Sequence, residues 1–330
     1  MNRISTRALS ALGALCLAAS LTCSVAGAQA AESYPCKTLT LVSPYPPGGT
    51  TDILARLVAP GMASSLGINV IVDNKGGASS NIGTEFVSRA APDGCTALLG
   101  NNTGVVVNRN LYPLRLDPVK ALAAVGEVAS VPLLLYVNSS LPAKDVGELV
   151  KLVQQTPGKY SYASGGSGSP QHLAGELLKL ERNIDLLHVP YRGQGPAMTD
   201  VLSNQVPMAF ETTTALMPHV NAGRIRVLAI TAPKRIAAMP NVPTMKEAGL
   251  DNFVIENWYG VLVPAKTPPA LVGRLNAALN ETLRSAQVRQ KLADMGSDDV
   301  SGSAEHFAKF IAEETPYWAN VVKRSGAKVD

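Results

Sequence analysis

Short apolar runs alternate with longer amphipathic segments along the chain. Residues 38–43, 69–73 and 96–100 are too short for helices and predict buried strands. Between them, residues 51–66 and 82–91 carry apolar side chains at helical spacing. This strand–helix–strand–helix–strand order predicts a parallel sheet with helices on both faces, because parallel neighbours need a crossover connection.

A second unit of this kind follows, and amphipathic helices end the chain. The predicted strands are residues 131–137, 160–163, 185–189, 207–211 and 227–231, and the predicted helices are residues 144–155, 171–180, 195–203, 268–284 and 304–323. Two such units predict an α/β protein of two lobes with a cleft between them. The apolar stretch 121–137 is expected to cross between the lobes, and the chain to return near residues 258–263. Lobe 1 then comprises residues 31–130 and 258–330, and lobe 2 comprises residues 131–257.

The first thirty residues have the pattern of a secretory signal peptide. Arg3 and Arg7 precede an apolar run at residues 8–19, and residues 28–30 (AQA) supply the small side chains of a cleavage site. A membrane-spanning helix needs about 20 apolar residues, so this shorter run favours cleavage over anchoring. We therefore expect residues 1–30 to be removed on export to the periplasm of a Gram-negative bacterium, with an uncleaved anchor as the alternative.

Charge and motif content argue against several function classes. The chain has 29 Lys and Arg residues against 25 Asp and Glu and no basic run, so it lacks the footprint of a nucleic-acid-binding protein. Its four histidines share no metal-ligand spacing, and no phosphate-binding loop motif is present, so we expect neither metal nor cofactor. Ser167 or Ser169 with His172 has helical spacing and no accompanying oxyanion motif, which argues against a hydrolase.

Cys36 and Cys95 are the two cysteines outside the predicted signal peptide. Each precedes a predicted strand, and the starting ends of neighbouring parallel strands lie side by side. Export permits a disulfide, which would stabilise the fold by about 4 kcal/mol on the chain-entropy account if it is unstrained. We therefore predict a Cys36–Cys95 bridge, with two unpaired buried thiols as the alternative.

Four polar turns follow predicted strands. Residues 46–50, 76–81, 101–103 and 164–169 are rich in Gly, Ser, Thr and Asn. In open parallel sheets, ligands bind beyond the carboxyl ends of the strands, where helix N-termini present N–H groups that favour anions. Glycine lets the backbone approach a ligand, and hydroxyl and amide groups supply orientable donors. Together these turns predict an anion-binding cleft.

At these turns the sequence resembles a known family. Residues 45–52 have the sequence YPPGGTTD and are followed by Ala55 and Arg56, which is similar to the opening signature of the Bug family, the TctC-like receptors of tripartite tricarboxylate transporters. Further matches occur in the family's order as APDG at 91–94, ASGG at 163–166, HVPYRG at 188–193, PNVPT at 240–244 and WYG at 258–260. The resemblance therefore covers the chain from about residue 34 to its C-terminus.

The resemblance implies a type II periplasmic-binding-protein fold with a mainly parallel sheet in each lobe, and no catalysis. It implies capture of a small carboxylate in the interlobe cleft, through main-chain N–H groups and ordered water. Dicarboxylates, tricarboxylates, acidic amino acids and aromatic acids are the candidate ligands. Delivery to integral-membrane transporter subunits is also implied, and we expect the receptor to be a monomer. A periplasmic sensor that feeds a kinase is the alternative function.

The resemblance also implies a set of ligand-binding residues. In lobe 1 these are Pro47, Gly48, Gly49, Thr50, Asp52, Asn81 and Asn102. In lobe 2 these are Ser164, Gly165, Ser169, His172, Glu211 and Thr212. The chain departs from the family at Cys95, where a tyrosine is common, and at Glu211, where an aspartate is common. The disulfide is therefore expected to belong to a subgroup, and the part of the ligand far from its carboxylate to differ.

Plainer roles are open to several of these residues and their neighbours. Asp52 lies where a negative charge stabilises the start of a helix. His172 also lies at a helix start, where it could cap the helix or support residues that bind the ligand. Arg192 either neutralises a second carboxylate of the ligand or is solvated. Trp258 and Tyr259 either line the cleft or pack beside a hinge.

Overall fold

A computed structural model describes residues 34–191, 193–297 and 300–329 of the chain. The predicted signal peptide and Arg192 lie outside these ranges, so the structure does not bear on either prediction. Within the ranges, no helix combines the length and the apolar character that crossing a bilayer requires.

The first three strands form the parallel sheet that the sequence predicts. Strand β1 (Thr38–Ser43) lies between β2 (Asn69–Asn74) and β3 (Thr96–Asn101) and is parallel to both. Helices α1 (Thr50–Leu66) and α2 (Asn81–Ser88) make the two crossovers. The apolar side chains of β1 are buried, as is usual for a parallel strand that helices cover on both faces.

Long antiparallel strands join this sheet to a second one. The strands involved are β4 (Leu122–Asn138), β7 (Met208–Thr212), β8 (Ile225–Ile230) and β9 (Glu256–Pro264). β9 pairs with β3 and with the first part of β4, up to Pro132. From Leu133 onward, β4 pairs instead with β7 and β8. The sequence predicted a strand only from residue 131, and it did not reveal the antiparallel pairing, because an apolar run does not specify its partner strand.

The second sheet is completed by two parallel strands. β5 (Ser161–Ser164) is parallel to both β6 (Leu187–Pro190) and β7. The helices between β3 and β8 are α3 (Pro118–Ala121), α4 (Val146–Gln155), α5 (Pro170–Arg182), α6 (Gln194–Leu202) and α7 (Thr213–Asn221). The strand order along the whole path is β2-β1-β3-β9-β4-β7-β5-β6. This mixed sheet with flanking helices confirms the predicted two-lobe α/β fold.

Three further helices end the described chain. They are α8 (Pro269–Leu283), α9 (Ala286–Asp294) and α10 (Ala304–Ser325). α10 packs on the central strands, where the Trp258 and Phe307 rings meet edge-on with centroids 5.4 Å apart. Near its end, Arg324 donates to the Glu181 carboxylate of α5 at 2.8 Å. α10 therefore contacts both the central strands and a helix of the second sheet.

The predicted disulfide between Cys36 and Cys95 is present, with Cα atoms 6.1 Å apart. It joins the segments that lead into β1 and β3, and the Thr40 N–H donates to the Cys95 carbonyl beside it at 2.9 Å. The predicted ligand turns follow the other ends of these strands. The bridge therefore fastens the sheet at the end away from the turns.

A single π-helical turn, Thr103–Val107, follows β3 and is buried throughout. It packs against the start of α2 so closely that a Cβ atom at Gly104 would lie 2.5 Å from the Ser80 Oγ and 2.8 Å from the Thr84 Oγ1. Only glycine leaves room for this approach. Single π turns are frequent at functional sites, and this one borders the predicted cleft.

Candidate functional site

The turn between β1 and α1 is braced by the Asp52 carboxylate. Its oxygens accept the Gly48 N–H at 2.9 Å, the Asn74 side-chain amide at 2.9 Å and the Arg56 Nε at 3.0 Å. Burial works to raise the pKa of Asp52, but hydrogen bonds from Arg56, Gly48 and Asn74 hold it below its ordinary value. Asp52 is therefore charged, buried and occupied by donors of the protein itself.

The backbone of the turn between β1 and α1 is exposed. Pro47, Gly48 and Gly49 are exposed, and Thr50 is half-buried. No side chain caps the start of α1, where Gly49 has extended dihedral angles. The first turn of α1 thus offers N–H groups and the positive end of the helix dipole to an anion.

Tyr259 connects this turn to the central strands. Its side chain is buried on β9, and its hydroxyl lies near the side chains of Thr50 and Asn257. The hydroxyl also lies within the electrostatic influence of Tyr45 and Glu211. Burial raises the pKa of Tyr259 far above its ordinary value, so the phenol is neutral. The start of α1 and the start of β9 therefore approach one hydroxyl, with the Glu211 carboxyl group of β7 within electrostatic range.

Asn257 was not singled out from the sequence, although the signal was available. It lies two residues before Tyr259 on the same strand, so the two side chains share one face of β9. A polar residue at that position in an otherwise apolar strand indicates a polar neighbour on that face. Trp258, between them, points to the other face and packs against Phe307.

The two predicted asparagines of the first lobe hold loops together. The Asn81 Oδ1 accepts from the Asn108 side chain at 2.8 Å, and Asn108 also donates to the Ser79 carbonyl at 2.7 Å. Asn102 is fully buried; its Nδ2 donates to the Glu256 carbonyl at 3.0 Å, and its Oδ1 accepts the next backbone N–H. Both side chains thus have partners within the protein.

In the second lobe, two stacked imidazoles set the shape of the turn between β5 and α5. The rings of His172 and His188 lie 4.0 Å apart between centroids. The Gly168 N–H donates to the Nδ1 of His172 at 3.0 Å, and the Nε2 of His188 lies 2.7 Å from the Ser164 Oγ. Ser169 caps α5 by accepting the backbone N–H of His172 at 3.2 Å. The remaining predicted residue of this turn, Gly165, is half-buried.

This arrangement lacks the requirements of a serine nucleophile. Ser164 is fully buried, and burial, followed by the neighbouring His172 and Lys179, lowers the pKa of His188 to about 3. An imidazole that remains neutral to such a low pH is a weak general base. In the couple considered from the sequence, the Ser169 hydroxyl bonds the backbone of His172. The serine and histidine groups described here thus fix a loop conformation.

Glu211 is the last residue but one of β7 and is 4% exposed. Its Oε1 accepts the Thr212 N–H at 2.7 Å. Burial raises the pKa of Glu211 to about 7, although hydrogen bonds from Thr212 oppose the rise. Thr212 precedes α7 and is itself buried, and no side chain caps that helix. A second uncapped helix start therefore lies beside a buried carboxyl group.

The turn after β5 approaches the segment that follows β3. A Cβ atom at Gly168 would lie 2.9 Å from the Leu111 Cδ1 and 3.9 Å from the Asn108 Oδ1. Gly168 has a φ of 82°, in the left-handed region. Asn108 is the residue that also bonds Asn81, so the turn from β5 approaches the same part of the first lobe as the predicted Asn81 contact.

Two cavities lie mostly apart from these turns. One, of about 160 Å³, is lined by residues of α2 and of the segment before α3, including Asn81 and Arg115. The other, of about 220 Å³, is lined by residues of α8, α9 and β4 with Ser297, Val300 and Ser301. In the described part of the chain, no group of three or more His, Cys, Asp or Glu side chains is placed to hold a metal ion.

Comparison with known proteins identifies relatives over nearly the whole chain. The family model described as tripartite tricarboxylate transporter family receptor, TctC, matches residues 54–327. Protein BugT of Bordetella pertussis is 35% identical over 310 residues, which cover 93% of this chain and 95% of that protein.

Solved structures of similar proteins include two with carboxylates. An R. palustris protein with adipate is 32% identical with a TM-score of 0.83, over 90% of this chain and 100% of that one. MatC from Rhodopseudomonas palustris with bound malate is 31% identical with a TM-score of 0.79, over 88% and 100% of the two chains. The chain therefore belongs to the tripartite tricarboxylate transporter receptor family, TctC, and its solved relatives include the periplasmic binding protein BugD.

Proposed function

We propose that this protein captures a small carboxylate between its two lobes and delivers it to a membrane transporter. The main support for the proposal is the exposed, uncapped start of α1. The Asp52 carboxylate holds the preceding turn in place by accepting the Gly48 N–H. Such a helix start favours an anion over a neutral solute. The relatives with adipate and with malate support a carboxylate as that anion.

The proposed contacts fall into two groups with different tasks. Pro47, Gly48, Gly49 and Thr50 surround the ligand carboxylate in lobe 1, and Gly165, Ser169, Glu211 and Thr212 face the rest of the ligand from lobe 2. Asp52, Asn81, Asn102, Ser164 and His172 hold those segments in shape, because their polar atoms already bond the protein. We thus assign these five side chains to positioning the binding segments rather than to contacting the ligand.

Binding is proposed to close the two lobes. Lobe 1 comprises residues 31–130 and 258–330 and lobe 2 comprises residues 131–257, a division supported by the change of partners along β4 at Pro132 and Leu133. A ligand held by one lobe gains contacts with the other on closure, so it raises the population of the closed state. The membrane partner then distinguishes the loaded receptor by its shape.

Export and assembly complete the proposal. Residues 1–30 act as a cleaved signal peptide, and the receptor works as a monomer in the periplasm. Its partners are the integral-membrane subunits of a transporter, with no cofactor and no catalytic step.

A thermal-shift screen of residues 31–330 tests this function. The panel contains mono-, di- and tricarboxylates, acidic amino acids and aromatic acids, each beside its uncharged amide. A ligand at a thousandfold excess over its Kd should stabilise the protein by about 4 kcal/mol. Stabilisation by a carboxylate and not by its amide is the expected result. Equal stabilisation by both, or none by any acid, contradicts the proposal.

A further inference from the structure

The lobe-2 side of the candidate site carries a buried hydrogen-bond acceptor. Glu211 is 4% exposed, and its only hydrogen-bond partner among the described residues is Thr212. No lysine or arginine of the described part of the chain bonds this carboxyl group. A buried carboxylate without a cation is costly, and a donor on the ligand would relieve that cost.

A second acceptor lies in the same surroundings. The Asn257 side chain lies near the Tyr259 hydroxyl, and its Oδ1 is buried with no partner among the described residues. The same hydroxyl lies near Thr50 and within electrostatic range of Glu211. Both acceptors therefore interact with one phenol, which is next to the turn that is proposed to hold the ligand carboxylate.

A second anion fits this environment poorly. A ligand carboxylate placed beside Glu211 would put two like charges in a buried setting, and one of them would have to take up a proton. A hydroxyl or ammonium group would instead donate to Glu211 or to Asn257. The residues present thus favour a ligand with one carboxylate and, at its far end, a hydrogen-bond donor.

We infer that the ligand is a monocarboxylate with a hydroxyl or ammonium group at its far end, and that Glu211 and Asn257 select that group. The inference rests on the proposed function and sharpens it from carboxylates in general to one class.

A matched series of ligands tests this selection by calorimetric titration at pH 8. Butyrate, 4-hydroxybutyrate, 4-aminobutyrate and succinate differ only at the far end, and the same four end groups are tested on five- and six-carbon chains. At the chain length that binds, we expect the hydroxyl or ammonium compound to bind at least tenfold more tightly than both the methyl compound and the dicarboxylate.

Variants of Glu211 and Asn257 test whether these two acceptors cause the preference for a ligand with a hydrogen-bond donor. Glu211→Gln should reduce the ammonium preference about tenfold while the affinity for the unsubstituted monocarboxylate stays within threefold. Asn257→Ala should reduce the hydroxyl preference in the same way. Glu313→Gln, an exposed glutamate of α10, is the control and should change neither. Melting temperatures of the ligand-free variants establish that each is folded.

A failure of this inference can be distinguished from a failure of the proposed function. Tightest binding by the dicarboxylate would overturn this inference and leave the receptor function standing. A donor preference that persists unchanged in both Glu211→Gln and Asn257→Ala would overturn the assignment to these residues. Absence of binding by every acid would contradict the proposed function itself, and the inference with it.

Discussion

The Nδ1 atom of His172 accepts a hydrogen bond from the Gly168 N–H at 3.0 Å, so that nitrogen carries no proton. Removal of the imidazole would leave that N–H without its acceptor and loosen the second-lobe turn. Because this turn is proposed to face the ligand, the bond is expected to support affinity.

His172→Ala is therefore expected to weaken ligand binding. Loss of one hydrogen bond corresponds to roughly a threefold to tenfold rise in Kd. Titration calorimetry at pH 8 measures the effect.

His172→Gln provides the control, since a glutamine oxygen can accept the same N–H. It should bind with nearly wild-type affinity. His306→Ala, on the exposed face of α10, should also bind like the wild type. An unchanged affinity in His172→Ala would refute this role.

Asp52→Asn should loosen the first-lobe turn. The substitution removes the charge that Arg56 and Gly48 bond, so we expect a loss of about 1–3 kcal/mol in unfolding free energy and weaker ligand binding. The pKa of Asp52 is below 3.8 in the folded protein, so its stabilising contribution is present at neutral pH and is lost as the pH falls through that lowered value.

Urea unfolding at pH 7 and pH 3 measures this difference. The gap between wild type and Asp52→Asn should narrow at the lower pH. Asp251→Asn, at an exposed turn, is the control and should change neither stability nor affinity. An Asp52→Asn protein with unchanged stability and affinity would exclude the bracing role.

Glu127, on β4, should make stability fall as the pH rises. Burial, and then the charges of Glu256 and Glu314, raise its pKa from 4.5 to about 8. The folded state therefore keeps a proton that the unfolded state loses, so this contribution is largest below pH 4.5 and is gone above about pH 8.

Glu127→Gln removes this titration. The variant should match the wild type near pH 4.5 and exceed it at pH 8 by on the order of a few kcal/mol, measured by chemical denaturation. Glu313→Gln should follow the wild-type curve. A stability gap between Glu127→Gln and wild type that does not widen with pH would show that Glu127 is not held protonated.

Gly168→Ala should hinder closure. An alanine Cβ there would lie 2.9 Å from Leu111 of the other lobe, whereas one at Gly223 would meet nothing within 4 Å. Both glycines have positive φ, at 82° and 66°, so the two variants share the backbone strain. We expect Gly168→Ala to bind at least tenfold more weakly and Gly223→Ala to bind like the wild type.

Small-angle scattering with saturating ligand separates closure from a local effect. The radius of gyration should contract less in Gly168→Ala than in Gly223→Ala. Equal contraction and equal affinity in the two variants would show that the contact with Leu111 does not limit closure.

The sequence predicted the units of the fold more accurately than their assembly. The strands of the two parallel units were found because each is a short apolar run next to an amphipathic helix. The antiparallel β9 was expected only as a return crossing, because its partners are distant in sequence. Helix α7 was missed since it contains Pro218, and α9 because its polar composition hides a weak apolar stripe.

In the candidate site, too, local features were predicted and long-range contacts were not. Gly48 and Gly49 could be predicted as site residues because they form a glycine-rich turn directly after β1. The bonds of Asp52 to Asn74 and of Ser164 to His188 could not, because each partner is brought in by a different strand. Whether a polar residue faces a ligand or braces a loop depends on such partners.

The affinity of residues 31–330 for a carboxylate and for its primary amide tests the central claim most directly. Isothermal titration with the tightest acid of the panel and its amide isolates the contribution of the anionic group at the start of α1. We predict binding of the acid and a loss of at least a hundredfold for the amide. Equal affinities would show that the helix start does not hold an anion and would contradict the receptor function proposed for this site.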